Sequence, residues 1–400
     1  MIISKIFIWP DERLVLQTLF LSISMHIVFF SEIKWQYLRT RKQNMLKRFP
    51  ADWKILFLEP YAAGRPNSFH LQRDNNVCFV TLPYFKNFPQ RWLQRLVSFR
   101  AVRAVIIVAA ALWTWVLLWR SGFRRRDVVM VSNIYAAPLV RWFAKGKPVI
   151  YDCNDHHLSF ALTPPWAERY FASTCRRADR IVCVSASLAE TIPPESRGKA
   201  LVIGNGVEYG RFAGNTAPAA ALLPFRPRPI LLFVGAIYEW VDFDLLAQTA
   251  ASHPDKMLVL VGPVARFLQA QMEKLLAAPN VKYLGEVPYD DLPAYLTAAD
   301  VGLMPFIKTQ HTQVLNPGKL YLYLAAGKPV VSTAVSPELI ALKDEIFLAE
   351  EATAFVAQID RALAAAATNI EARRRMAAAN DWGEKTKQMV ALLEGLCAAR

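Results

Sequence analysis

The 400-residue chain contains no C-x-x-C pair among its five cysteines, Cys78, Cys153, Cys175, Cys183 and Cys397. An odd count without paired spacing argues against a disulfide framework and a zinc site, and for a reducing compartment. Glycine (16) and proline (25) are too few and too scattered for collagen-like or low-complexity sequence. The second half lacks both G-x-G-x-x-G and G-x-x-x-x-G-K-[ST], which weakens dinucleotide-binding and P-loop readings. No D-x-D stands at a strand end, so no bound metal and no other cofactor is required. Acidic residues are missing altogether between Asn75 and Arg126.

What is present is a globular composition. Hydrophobic residues make up 54% and charged residues 20%, which excludes a disordered chain. The length points to two or three domains. The net charge of +14 is lopsided: residues 1–200 hold 29 Lys and Arg against 13 Asp and Glu, whereas residues 201–400 hold 18 against 20. A polyanion or an anionic membrane is therefore expected to meet the first half only.

Two apolar runs, Leu14–Phe30 and Ala104–Trp119, fall just short of the ~20 residues of a spanning helix. The first has neither a clean basic n-region nor an A-x-A site, so a signal peptide is not expected. Residues 1–25 are treated as an extension of uncertain structure. The second run is flanked by arginines and interleaved with tryptophans, the composition of a helix lying on a membrane. Arg100, Arg103, Trp113, Trp115, Arg124, Arg125 and Arg126 are the expected membrane contacts, with peripheral attachment at the cytoplasmic face of the inner membrane. The alternative is a buried helix with solvated ends.

Elsewhere, short β-branched or apolar runs alternate with helical stretches, which implies parallel sheets wound on both faces. The expected fold class is α/β. One Rossmann-like domain covers 26–212 and a second covers 229–380. A linker with four prolines spans 213–228 and its border, and a C-terminal helix covers 381–400. Ligands of such sheets sit at the carboxyl ends of the strands, so two facing domains make a cleft.

The most informative segment is Asn316-Pro317-Gly318-Lys319, followed by an apolar helical stretch, then Gly327 and Pro329. It describes a loop opening a helix, whose free N–H groups and dipole suit a phosphate, with Lys319 adding a charge in the first turn. The stretch N-P-x-K-L-Y-x-Y-L-A-A-G-K-P-V-V-S resembles the nucleotide-sugar segment of GT-B glycosyltransferases, especially bacterial polysaccharide and teichuronic-acid types. V-I-Y-D-C-N-D at 149–155, A-D-R-I-V-C-V-S at 178–185, G-N-G-V-E at 204–208, F-V-G-A-I at 233–237, V-K-Y-L-G-E-V at 281–287 and A-A-D-V-G-L-M-P-F at 298–306 fall in the expected order. The GT-B resemblance covers about residues 26–400.

Two departures stand out. Retaining members of the fold often carry two glutamates eight positions apart, where this chain has Val314 and Leu322. No basic pair follows Gly235 either. The K-L-x-x-Y-x-x-x-G-x-P spacing of Lys319, Leu320, Tyr323, Gly327 and Pro329 is instead similar to the inverting xanthan-type glucuronosyltransferases, which act on a lipid-linked oligosaccharide. That resemblance implies inversion, with Asp155 as the base and Lys319 and the helix dipole stabilising the departing diphosphate. His156 and His157 compete for the role of base, and Asp152 is weighed against a helix or turn cap. Gly235, Glu286, Val287, Phe306, Gly318, Lys319 and Tyr323 form the expected donor site. Trp240 and Asp242 are possible contacts to the donor sugar.

The expected partners are a nucleoside-diphosphate sugar, most readily a UDP-sugar, and a lipid-linked saccharide acceptor of cell-surface or exopolysaccharide synthesis. Nucleic acid is not expected, since no recognition-helix or RNP-type motif occurs. The rivals are a GT-B-fold UDP-sugar epimerase and a non-catalytic polyanion-binding protein.

Overall fold

The computed structural model describes residues 24–62, 66–85, 91–160, 162–214 and 216–399. The expected N-terminal extension lies outside the described residues up to position 23. Met25 is fully buried in the first core, so the domain begins before His26.

The first sheet has eight strands: β1 (His26–Phe30), β2 (Lys54–Tyr61), β3 (Gln72–Asp74), β4 (Val77–Phe85), β5 (Val128–Val131), β6 (Val149–Cys153), β7 (Arg180–Cys183) and β8 (Ala200–Val202). Their spatial order is β3-β4-β2-β1-β5-β6-β7-β8, all parallel except the short edge strand β3. The second sheet is wholly parallel: β9 (Ile230–Val234), β10 (Met257–Val261), β11 (Val281–Tyr283), β12 (Val301–Met304), β13 (Val330–Thr333) and β14 (Phe347–Ala349), in the order β11-β10-β9-β12-β13-β14. Central strands such as Ile230–Val234 are buried along their whole length, as runs covered by helices on both faces must be.

The chain passes between domains at 203–209. Val207 N–H donates to Asn380 O (3.0 Å), and Trp382 N–H donates to Val207 O (2.9 Å), so the outgoing and returning strands are tied together. The proline-rich stretch taken for a linker is instead docked on the second domain. Leu222 is fully buried there, and Arg226 pairs with Asp300 at 2.9 Å. Apolar anchors outweigh the turn-forming prolines. The helix Trp382–Ala398 returns to the first domain, where Trp382, Met389 and Leu393 join a core with Ile27, Phe29 and Trp53.

Candidate active site

The second sheet reverses its winding at β9, whose neighbours are β10 and β12, and such a switch point opens a crevice at the strands' carboxyl ends. β12 pairs with β9 only at Val301–Leu231 and Gly302–Leu232. Beyond that the strands part, and the Tyr323 hydroxyl fills the gap. It accepts from Val234 N–H (2.9 Å) and donates to Leu232 O (3.0 Å). Its ring lies so close to Gly302 that a Cβ there would sit 2.4 Å away. Tyr323, expected in the donor site, is thus fully buried and shapes the crevice from beneath.

Lys319 occupies the crevice. It lies in the first turn of the helix Gly318–Ala325. Its Nζ sits 3.7 Å from the centroid of the Phe233 ring and 5.3 Å from that of Phe306. The residue is half-buried, but the ammonium itself is shielded from solvent and makes no hydrogen bond. Burial alone pushes its pKa down to about 7. A buried cation offered only ring faces costs stability until an anion arrives.

Gly235 brings its backbone against this lysine: at φ +118° it has no side chain, and a Cβ would lie 3.2 Å from Nζ. Gly262, at the end of β10, is more constrained still, since a Cβ there would meet Gly235 O at 2.2 Å. The strand-end signal G-P at 262–263 could have flagged it. Gly318 begins the helix, and Phe306 is buried beside it. Val287 packs partly on the second core, while Glu286 is exposed and near Tyr283. Asp242 caps the helix Phe243–Ser252 by accepting from Leu245 N–H (2.9 Å), so its carboxylate is committed to the fold.

The facing wall comes from the loop after β6. Ser159 Oγ lies 3.4 Å from His311 Nδ1, and the Phe160 and His311 ring centroids are 4.7 Å apart. On its other side His311 stacks on Trp240 at 5.2 Å. This histidine, which no local pattern singles out, therefore joins the domains, and burial holds its pKa down at about 4. His156 is lowered by burial and then by His311. His157 is buried, and its ring approaches Tyr151 at 6.3 Å. Asp155 is half-buried and accepts from Asn154 Nδ2 (2.6 Å).

Asp152 is neither a cap nor free for chemistry. It forms a buried ion pair with Arg41 Nε at 3.0 Å, and Arg41 also donates to Gly204 O at 2.9 Å. A separate groove of about 610 Å³ runs between Trp35, Tyr37 and Gln72 of the first domain and Tyr289 and Asp290 of the second.

The expected membrane contacts divide. Trp115, Arg100, Arg124 and Arg125 are exposed. Trp113 packs partly on the core, Arg103 lies over the Trp166 ring at 4.6 Å, and Arg126 donates to Phe143 O at 2.6 Å. Trp113 and Arg103 are turned to the protein because the helix can expose only one face, and Arg126 is held by its bond in the segment leading to β5.

Residues 228–365 match the family "Glycosyl transferases group 1", and residues 69–211 match "Glycosyltransferase Family 4". TuaH of Bacillus subtilis strain 168, described as a teichuronic acid biosynthesis glycosyltransferase, is 30% identical over 271 residues, covering 63% of this chain and 68% of that protein. Among solved structures, a sucrose-phosphate synthase from Thermosynechococcus elongatus superposes with a TM-score of 0.69 at 17% identity, covering 94% of this chain and 100% of that one. Anabaena HepE in complex with UDP-glucose gives 0.65 at 16% identity, covering 93% and 100%. These establish the GT-B fold. Family 4 transferases are retaining enzymes, which stands against the inversion expected from the xanthan-type spacing.

Proposed function

The chain belongs to the group 1, family 4 glycosyltransferases, and from that premise we propose that it transfers a sugar, with retention, from a UDP-sugar to a saccharide acceptor carried on a lipid. The observation that carries the donor half is the unpartnered buried ammonium of Lys319 at a helix N-terminus and a strand switch point. A diphosphate would supply its missing counter-charge and accept the helix's free N–H groups. Gly235 leaves room for the phosphates beside Lys319, Gly262 lets the Gly235 backbone pack against β10, and Gly318 and Phe306 complete the site. Glu286 and Val287 border the nucleoside end.

In a retaining transfer the acceptor oxygen bonds to the anomeric carbon on the face from which the phosphate oxygen leaves. That departing oxygen takes the acceptor's proton, so a separate base has no task. Asp155 then orients a substrate hydroxyl from the first-domain wall, and His156, neutral at pH 7, is the nearest alternative. Lys319 and the dipole stabilise the charge growing on the diphosphate. The groove at Trp35, Tyr37 and Tyr289 takes the acceptor saccharide, since aromatic faces and amides together suit sugars. The likeness to TuaH supports a place in cell-surface polysaccharide synthesis.

The test is a panel of UDP-, GDP- and dTDP-sugars incubated with membrane extract as acceptor, followed by anomeric analysis of the product. Retained configuration from a UDP-sugar is expected. An inverted product would refute the mechanism, and interconversion of the UDP-sugar without an acceptor would favour the epimerase.

A further inference from the structure

Among the described residues, nothing packs against one face of the first domain. The helix Arg100–Arg120 turns Ala110, Ala111, Thr114, Leu117 and Leu118 inward, and its apolar members join the core that contains Val80, Leu82 and Tyr84 of β4. Outward it presents Val105, Val108, Leu112, Trp115 and Trp119, between 49% and 69% exposed. Alternating steps of three and four residues align these five in a single stripe. Trp92, Leu96 and Phe99, on and just after the preceding helix Arg91–Ser98, are also exposed. Large apolar side chains scattered singly are ordinary on a surface, but eight on one helical hairpin are not.

The charge carried by the two helices and the turn after them has one sign. Arg95, Arg100, Arg120, Arg124 and Arg125 are exposed, Arg124 lies 4.8 Å over the Trp119 ring, and no acidic residue occurs from Asn75 to Arg126. A second copy of the chain would bring arginines against arginines. A surface of anionic lipid complements both features at once: phosphates meet the guanidinium groups, and the acyl boundary receives the stripe.

We propose that this helical hairpin is a monotopic anchor that lies flat on an anionic bilayer. The helix Arg100–Arg120 is long and apolar enough to cross a membrane, with a mean hydropathy of 2.2. Crossing would strip its buried face from β4 and expose that strand's core. It would also place arginines on both sides of the membrane. Lying in the interface keeps both the core and the charges satisfied. The Arg103–Trp166 contact joins the anchor to the segment that follows the 154–160 loop and leads into the helix Ala167–Arg177. The membrane plane is thereby fixed relative to the cleft wall. This last consequence rests on the transferase reading, whereas the docking itself does not.

The experiment is flotation of the full chain with vesicles of phosphatidylcholine alone, or mixed with phosphatidylglycerol. Two variants accompany it: Leu112→Glu with Trp115→Glu, and Arg124→Gln with Arg125→Gln. All four side chains are exposed, so folding should persist, and thermal melts check it independently of any ligand. Wild type should float with the anionic vesicles only and be released by alkaline carbonate. Each variant should lose partitioning by about tenfold or more. Carbonate-resistant wild type would mean a span and overturn the proposal. Undiminished flotation of folded variants would locate the contact elsewhere. Wild type that ignores vesicles but sediments as a dimer, with the glutamate variant monomeric, would show that a second copy covers the stripe.

Discussion

Asn205 holds Asn316 by two hydrogen bonds, from its backbone N–H to Oδ1 (3.0 Å) and from its Nδ2 to the backbone oxygen (2.6 Å). Asn205 lies in the interdomain crossing, and Asn316 opens the loop that delivers Lys319. The position of the ammonium is thus tied to the relation between domains. Asn205→Ala removes the side-chain bond from a partly buried site. UDP affinity should fall by about 1 kcal/mol with little change in melting temperature. Calorimetric titration beside a thermal melt checks it, and unchanged affinity would show that the loop holds its shape alone.

Lys319 gives binding a pH signature. Burial lowers its pKa in the free protein to about 7, and a bound diphosphate must raise it by stabilising the charged form. Above about pH 7 the lysine must gain a proton on binding, so UDP affinity should fall as pH rises from 7 to 9. Proton uptake, read by calorimetry in buffers of different ionisation enthalpy, should accompany it. Stability of the free protein moves the other way. The unfolded lysine binds its proton up to about 10.5 while the folded one has already lost it, so stability rises with pH across that interval. Lys319→Ala should abolish both trends and weaken UDP binding by about 1–3 kcal/mol.

Asp152 and Asp155 are separated by the same reasoning. Asp152→Asn leaves Arg41 buried without its counter-charge, and Arg41 Nη2 already lacks a partner. The loss should reach about 3–5 kcal/mol, read as a lowered denaturation midpoint. Asp155→Asn should melt like wild type. With retention it should cost transfer only about tenfold through a weakened hydroxyl contact. A fall of about 10²–10⁴ in a folded protein would restore a proton-transfer role and challenge the retaining mechanism.

The contrast between these aspartates shows how far sequence reading reaches. Runs such as Ile230–Val234 and Met257–Val261 declare themselves as strands because continuous burial selects continuous apolar sequence. The loop, the helix start and Lys319 are legible together because all three are local. Arg41–Asp152 is not, since 111 residues separate the partners. Nor is His311, whose significance lies in Phe160 reaching across from the other domain. The short strands β3, β8 and β14 each have three residues and too little pattern to announce them. Along Arg100–Arg120 composition announces an apolar helix flanked by arginines, but only packing decides that Trp115 faces out while Trp113 turns in.

The returning helix supplies the last prediction. Trp382, Met389 and Leu393 are buried against the first domain at 4%, 1% and 0% exposure. Full burial of such a side chain stabilises by about 1.5–3 kcal/mol, so a chain ending at Asn380 forgoes roughly 5–9 kcal/mol, the order of a whole domain's stability. The truncated protein should be insoluble or unfolded in its first domain. The second domain buries its own core of Leu232, Val259 and Tyr323 and does not need that helix. Limited proteolysis should therefore digest the first domain of the truncated chain and spare a fragment beginning near the 203–209 crossing, since Val207 and Phe212 belong to the second core. UDP should protect that fragment further if Lys319 still meets its ligand. Equal resistance of both domains would mean that the C-terminal helix is an attachment rather than part of the first core.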